Sequence, residues 1–281
     1  TYSTYLQEQV RELEALRSEQ QTVLAHMSPS TDVCIRRAAA VDRELWGRLS
    51  RDEDFLSLRV GSGTLPASFS VQAPKQMLRL ESDGLAEQPT QIAERFAMVP
   101  DCPICVPLGE HLSCGVVGKR ARCVALGKNL IVQAAAHHSY CDLRIVVLCE
   151  QEETAQWEFC RWLPHCWDEG HTARLIANTP ETIRALLERL EPVFSARAAA
   201  GQNAGLGAAP RAKPWYLFVC AAPETVTQHA FMKFLTANRR ELGISVLYLF
   251  DRIDLLPEEC HDILDCREAV GVLFERRHAS R

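Results

Sequence analysis

The stretch HLSCGVVGKRARCVALGKNLIVQAAA, residues His111–Ala136, decides how the rest of the chain is read. An apolar strand runs up to Gly118-Lys119 and gives way to a segment with helical spacing. That is the order of a phosphate-binding loop, in which G-x-x-x-x-G-K-[ST] joins a strand to a helix N-terminus. Aligned on Gly118-Lys119, the first glycine's place falls to Ser113 and the hydroxyl's place to Arg120. The hydroxyl ligates Mg²⁺ beside the phosphates, which a guanidinium cannot do. Cys114-Gly115-Val116-Val117 stand where a cradle of backbone N–H groups belongs, yet they read as strand. Only about three residues, Gly118 to Arg120, remain between strand and helix.

An ATPase of this kind also needs a carboxylate at the end of a neighbouring apolar strand to hold Mg²⁺. The segment WYLFVCAAPE (Trp215–Glu224) ends in Cys220-Ala221-Ala222 and carries no acid before Glu224. The alternative, RIVVLCE (Arg144–Glu150), ends on an acid but follows the first helix too directly. Asp251 closes VLYLFD and leads into a loop. Mg-ATP hydrolysis at this place is therefore not expected, and no catalytic residue or metal ligand is assigned. Gly118, Lys119, Arg120 and Arg122 remain candidates for holding a nucleotide phosphate or another anion, because a helix N-terminus flanked by cations attracts negative charge.

Outward from this stretch the chain alternates. Helices are expected at 121–137, 152–160, 180–197 and 224–240, and strands at 143–149, 173–178, 215–221, 244–250 and 271–275. Continuous β-branched runs between amphipathic helices specify a mostly parallel sheet covered on both faces. The fold class is α/β, P-loop-NTPase-like. Upstream, 1–28 and 31–49 read as two helices broken at Pro29, able to pair as a hairpin or to form a stalk. FLSLRVGSG and ASFSVQAP alternate as two strands, QPTQIAERFAM is a short helix, and CPICVPL is a further strand. The expected division is a helical stalk at 1–50, a β-rich segment at 51–110 and the α/β domain at 111–281. The Gly- and Ala-rich segment 198–214 is expected to be a long loop.

The 281 residues carry a formal net charge of −5, with 47% hydrophobic and 24% charged residues. A core of ordinary size is affordable, and the charge does not suit a nucleic-acid binder. Twelve cysteines sit largely in apolar runs, where they act as small hydrophobes in a reduced protein rather than as a disulfide framework. No run approaches ~20 apolar residues, and no secretory leader is recognisable. The chain opens inside a helical pattern without an initiating Met, which leads us to expect a piece of a longer protein. Among other candidates, Cys102–Cys105 has C-x-x-C spacing but no second pair to complete a zinc site. His137-His138 close a helix and are expected to complement its dipole. Three tryptophans within Trp157–Glu169 are expected to seal a core edge.

Three stretches carry a resemblance to a known family: LWGRLSRDEDFLSLRVGSG (Leu45–Gly63), CRWLPHCWDE (Cys160–Glu169) and the helical opening Tyr2–Ser30. Together they resemble the membrane-bound FtsK/SpoIIIE-type ATPase of type VII secretion, in the EssC-type form of Gram-positive bacteria. The resemblance implies a stalk followed by a degenerate ATPase-like domain, ahead of the active ATPase modules. It further implies the cytoplasmic portion of a cell-membrane protein that works as an oligomer. The partners it implies are the downstream modules, secretion-channel membrane proteins and small helical-hairpin effectors with a Trp-x-Gly turn. ATP and Mg²⁺ would belong to the downstream modules, and no nucleic acid is implied. The function expected is a non-catalytic coupling or assembly domain. A weak nucleotide-binding or slowly hydrolysing domain, with Glu150 or Glu224 as the acid, and a DNA-translocase piece are the alternatives.

Overall fold

The computed structural model describes residues 2–72, 84–203 and 212–276. The chain begins with helices α1 (Tyr2–Met27) and α2 (Thr31–Ala40), followed by strand β1 (Ser57–Pro66), helix α3 (Gly84–Phe96) and strand β2 (Met98–Pro107). A short helix α4 (Leu108–His111) then leads into β3 (Ser113–Gly118), helix α5 (Arg120–His137) and β4 (Leu143–Leu148). After a set of short turns that include α6 (Thr154–Trp157) come β5 (Ile176–Ala177), α7 (Pro180–Asn203) and β6 (Trp215–Cys220). Two short helices, α8 (Pro223–Thr227) and α9 (Met232–Leu235), precede β7 (Ile244–Leu249), β8 (Asp262–Cys266) and β9 (Val272–Glu275).

The contacts divide the chain into two compact units, Thr1–Ser30 with Arg59–Cys105, and Thr31–Leu58 with Val106–Arg281. This division differs from the one expected at 1–50, 51–110 and 111–281: the two N-terminal helices fall in different units. In the first unit, β1 and β2 form a two-stranded sheet. The Gln20 side chain of α1 donates to the Pro66 carbonyl at 3.0 Å and accepts from the Ser68 N–H at 2.8 Å. Arg17 lies over the Phe96 ring at 4.4 Å, and Arg95 pairs with Glu14 at 3.0 Å. The second strand expected at ASFSVQAP is not formed over 67–72, and its last residues lie outside the described ones.

The second unit is built on a seven-stranded sheet in the order β5-β4-β6-β7-β3-β8-β9, parallel except for the β8–β9 pair. The central strands β3, β4, β6 and β7 are buried at every position. Burial from both sides is why they read as unbroken apolar runs rather than alternating ones. On one face, Ile183, Leu187, Leu190 and Phe194 of α7 pack with Val146, Tyr216, Phe218, Val246 and Tyr248. The opposite face is covered by α5. A Cβ on Gly127 of that helix would come within 2.4 Å of a Leu249 methyl and 3.1 Å of the Trp157 ring. Only a glycine lets the helix sit so low on the sheet.

Several expected elements are altered by tertiary contacts. The helix expected over 31–49 stops at Ala40. The backbone N–H groups of Trp46 and Arg48 instead reach the Ala136 and His137 carbonyls, at 2.9 and 3.0 Å, and the Trp46 indole donates to the Ala135 carbonyl at 2.9 Å. Those are the carbonyls that the end of α5 leaves without helical partners. The helix expected at 224–240 breaks into α8 and α9, and that at 152–160 into short turns. The first part of 198–214 continues α7 to Asn203 rather than forming a loop, and 204–211 lies outside the described residues. Strand β8 was not foreseen. No described helix is long and apolar enough to cross a membrane.

Candidate functional site

The site begins at the carboxyl end of β3, where ligands bind in open α/β sheets. Strand and helix are separated by one residue, Lys119, which is exposed and extended at φ −61, ψ 128. The gap is shorter than the three residues expected, so the backbone has no loop with which to wrap a phosphate. Gly118 has φ +146, and a Cβ there would lie 2.8 and 2.9 Å from the Cys266 carbonyl carbon and oxygen. Close packing on β8 thus requires glycine at this position.

Arg120 occupies the position of the missing hydroxyl and turns inward. Its Nε donates to Glu153 Oε1 at 2.5 Å, and one terminal nitrogen donates to Glu153 Oε2 at 2.6 Å and to the Ala221 carbonyl at 2.5 Å. The other terminal nitrogen donates to the Leu249 carbonyl at 2.6 Å. Ala221 and Leu249 lie at the carboxyl ends of β6 and β7, so one guanidinium spans the ends of two neighbouring strands. A planar fork of fixed donors suits this set of acceptors in a way an ammonium would not. Burial tends to lower the arginine's pKa, but the Glu153 hydrogen bonds and charge more than offset it, and the net shift is upward.

The remaining residues follow from this arrangement. Cys220, Ala221 and Ala222 are buried at the end of β6, where a metal-holding carboxylate was sought; the Ala221 carbonyl there is bound by Arg120. Glu150, Glu224 and Asp251 are all exposed. Burial raises the pKa of Glu150, with Arg120 opposing the shift. Arg122 donates to the Cys266 and Glu268 carbonyls at 3.1 and 2.7 Å. Of the four residues expected to hold an anion, two arginines are thus turned to protein acceptors, Gly118 packs on β8, and Lys119 faces solvent. Glu153 was missed by the sequence reading. It sits in a 3-10 turn after β4, in the acid-rich run Glu150-Gln151-Glu152-Glu153, and nothing local distinguishes it from Glu152.

The other sequence candidates resolve into structure. Cys102 is buried and Cys105 half-buried on β2, and neither joins a metal-ligating group among the described residues. His137 and His138 do not act as charged caps. Burial lowers the pKa of His137 to about 3, with Arg48 and Arg37 adding to the shift, and takes that of His138 well below its ordinary value. His138 Nε2 accepts from the Leu56 N–H at 3.2 Å, so its Nδ1 carries the proton directed at the Arg48 carbonyl, also at 3.2 Å. Of the tryptophans, Trp157 is in the core, Trp167 stacks under the Arg174 guanidinium at 3.6 Å, and Trp162 is 85% exposed.

Fold and site together describe an open α/β domain with the strand–Gly–Lys–helix order of a nucleotide-binding protein. At the start of α5 the Arg120 guanidinium is bonded to Glu153 and to the carbonyls at the ends of β6 and β7. The chain is similar to the EccC, YukB and EssC proteins of type VII secretion. It is 27% identical over 282 aligned residues to the ESX secretion system protein EccC of Geobacillus thermodenitrificans, covering 99% of this chain and 19% of that protein. To YukB of Bacillus subtilis it is 26% identical over 258 residues, covering 92% and 17%, and to EssC of Staphylococcus aureus 21% over 267 residues, covering 95% and 18%. The chain thus spans about a fifth of the length of these relatives. No family model matches it. Among solved structures, ATPases 2 and 3 of Geobacillus thermodenitrificans EssC superpose with a TM-score of 0.49 at 9% identity, covering 79% of this chain and 39% of that one. The cytoplasmic domain of Thermomonospora curvata EccC superposes with a TM-score of 0.44 at 15% identity, covering 79% and 24%.

Proposed function

We propose that this chain is a non-catalytic coupling or assembly module of a membrane-bound type VII secretion motor of the FtsK/SpoIIIE kind. The observation that carries the reading is the Arg120 guanidinium, bonded to Glu153 and to the carbonyls at the ends of β6 and β7. It places a permanent monovalent cation where an ATPase would bring Mg²⁺ with its nucleotide. Such a domain keeps the arrangement of strand ends that nucleotide binding would otherwise organise. It is therefore suited to transmitting movement between neighbouring modules rather than to generating it. The similarity to EccC, YukB and EssC along almost the whole chain supports placing it in such a motor. Its partners would then be the ATPase modules of the same protein, membrane components of the channel, other copies in an oligomer and the exported helical-hairpin proteins.

The test is thermal unfolding and ATP turnover of the purified chain with millimolar Mg-ATP, beside a Lys119→Ala variant. A ligand at 100 times its Kd stabilises by about 2.7 kcal/mol, which for a domain of this size is roughly 5–10 °C in Tm. We expect no such shift and no turnover above the variant. A shift or a turnover that Lys119→Ala removes would replace this reading with that of a nucleotide-binding domain using the exposed Lys119 at the start of α5.

A further inference from the structure

At the opposite end of β3, three side chains that the nucleotide question leaves aside converge. His111 ends α4, and His261 and Asp262 stand at the start of β8. Residue Asp262 is the register neighbour of Cys114 across the parallel β3–β8 pair. The Asp262 carboxylate is almost fully enclosed, at 3% exposure. Its two oxygens face two imidazoles: Oδ2 lies 2.8 Å from His111 Nδ1, and Oδ1 lies 3.0 Å from His261 Nδ1. The two rings lie one over the other, with centroids 4.1 Å apart and planes 30° apart. Their ligand atoms and the carboxylate all fall within 4.8 Å of one another.

We infer that His111, His261 and Asp262 form a binding site for a divalent transition cation of the Zn²⁺ class, which ties the start of the central strand β3 to β8. The donor set argues for this chemistry. Two imidazole nitrogens and one carboxylate oxygen suit Zn²⁺ and its neighbours, whereas Mg²⁺ and Ca²⁺ take oxygen ligands. A buried carboxylate needs a compensating positive charge. Two imidazolium rings stacked this closely would repel each other, whereas one divalent ion meets all three donors at once. Zinc bonds of about 2.0–2.1 Å in tetrahedral geometry set ligand atoms ~3.3 Å apart. The two nitrogen–oxygen contacts therefore open by a few tenths of an ångström as the ion replaces the shared protons. The histidine side chains, 28% and 23% exposed, have room to swing by that amount. Each imidazole Nδ1 lies at hydrogen-bond distance from a carboxylate oxygen, and the proton shared there sits on Nδ1. On binding, that proton leaves Nδ1, for Nε2 where that nitrogen is free and otherwise for solvent, and the freed Nδ1 lone pair takes the metal.

The position assigns the ion a structural role. Functional ligands in open α/β sheets lie beyond the carboxyl ends of the strands, and this cluster is at the amino end of β8. The inference does not depend on whether Lys119 meets a nucleotide, and its test contains none. The purified chain, stripped with a chelator and held in excess Mg²⁺, is titrated with Co²⁺ and then with Zn²⁺. The expected result is one saturable Co²⁺ per chain with the visible bands of a nitrogen- and oxygen-ligated ion and no thiolate charge-transfer band. Zn²⁺ should displace it and raise Tm. Affinity should fall by at least about ten-fold in His111→Ala and in His261→Ala, and stay unchanged in Cys266→Ser. Where an alanine variant fails to fold, His111→Gln and His261→Gln keep a polar group in place and should show the same loss. Absence of saturable binding, binding that survives both histidine substitutions, or a thiolate band would overturn the assignment.

Discussion

Removing the Arg120 guanidinium is the perturbation that most directly probes the closed corner of this domain. In Arg120→Ala, the Glu153 carboxylate loses two hydrogen bonds, and the carbonyls of Ala221 and Leu249 lose one each. The pair is largely but not wholly buried, at 29% and 18% side-chain exposure for Arg120 and Glu153. Breaking a fully buried pair on one side costs about 3–5 kcal/mol, and solvent access here places the expected loss at the lower end, about 3 kcal/mol. For a domain of this size that is a fall in Tm of roughly 6–12 °C. Arg120→Lys keeps the charge but cannot span all four acceptors, so it should fall between the parent and the alanine variant. Much of the loss comes from stranding Glu153, so Arg120→Ala/Glu153→Gln should be more stable than Arg120→Ala alone. Calorimetry on the parent, Arg120→Ala, Glu153→Gln and the double variant measures the cycle. A fall under about 2 °C for Arg120→Ala, or single-variant effects that add within about 0.5 kcal/mol, would refute the view that this network holds the strand ends together.

Two further outcomes follow from the geometry. Stability should decline steeply below about pH 6. Burial holds the folded-state pKa values of His137 and His165 at about 3 and 4 against 6.5 for a free imidazole, so between those limits the unfolded chain binds more protons and gains the advantage as pH falls. From pH 7 to 5 the loss is about 2 kcal/mol per histidine, with His138 adding in the same direction; a Tm unchanged over that range would contradict the neutral, enclosed state of these rings. Gly118→Ala should destabilise by at least about 1–3 kcal/mol from the positive φ alone, with more from the contact against the Cys266 carbonyl; a denaturant midpoint equal to the parent's would show that the β3–β8 junction yields easily.

Much of the architecture is legible in the chain itself. Strands β3, β4, β6 and β7 stand out because burial on both faces demands unbroken apolar runs, and α5 and α7 because their apolar positions recur at helical spacing. That Arg120 stands in the hydroxyl's place and Ala221-Ala222 in the acid's place of the phosphate-loop pattern is a property of residue type and order, and so was readable from the chain. Other features depend on what comes to lie alongside. Strand β8 carries an aspartate at each of two positions in Asp262-Ile263-Leu264-Asp265-Cys266, and its pairing with β3 and β9, not its hydropathy, makes it a strand. The segment after Ala40 has helical composition, but the open carbonyls at the end of α5 offered Trp46 and Arg48 better partners than a further turn of helix. The direction of Arg120 was decided the same way. Glu153 lies 33 residues away, and Ala221 and Leu249 lie 101 and 129 away. His111 and Asp262 lie 151 residues apart. Sequence order determined which groups were present. Which groups meet is set by strand order and register, because the contacts that neutralise a buried charge are made across the sheet and leave no periodic trace along the chain.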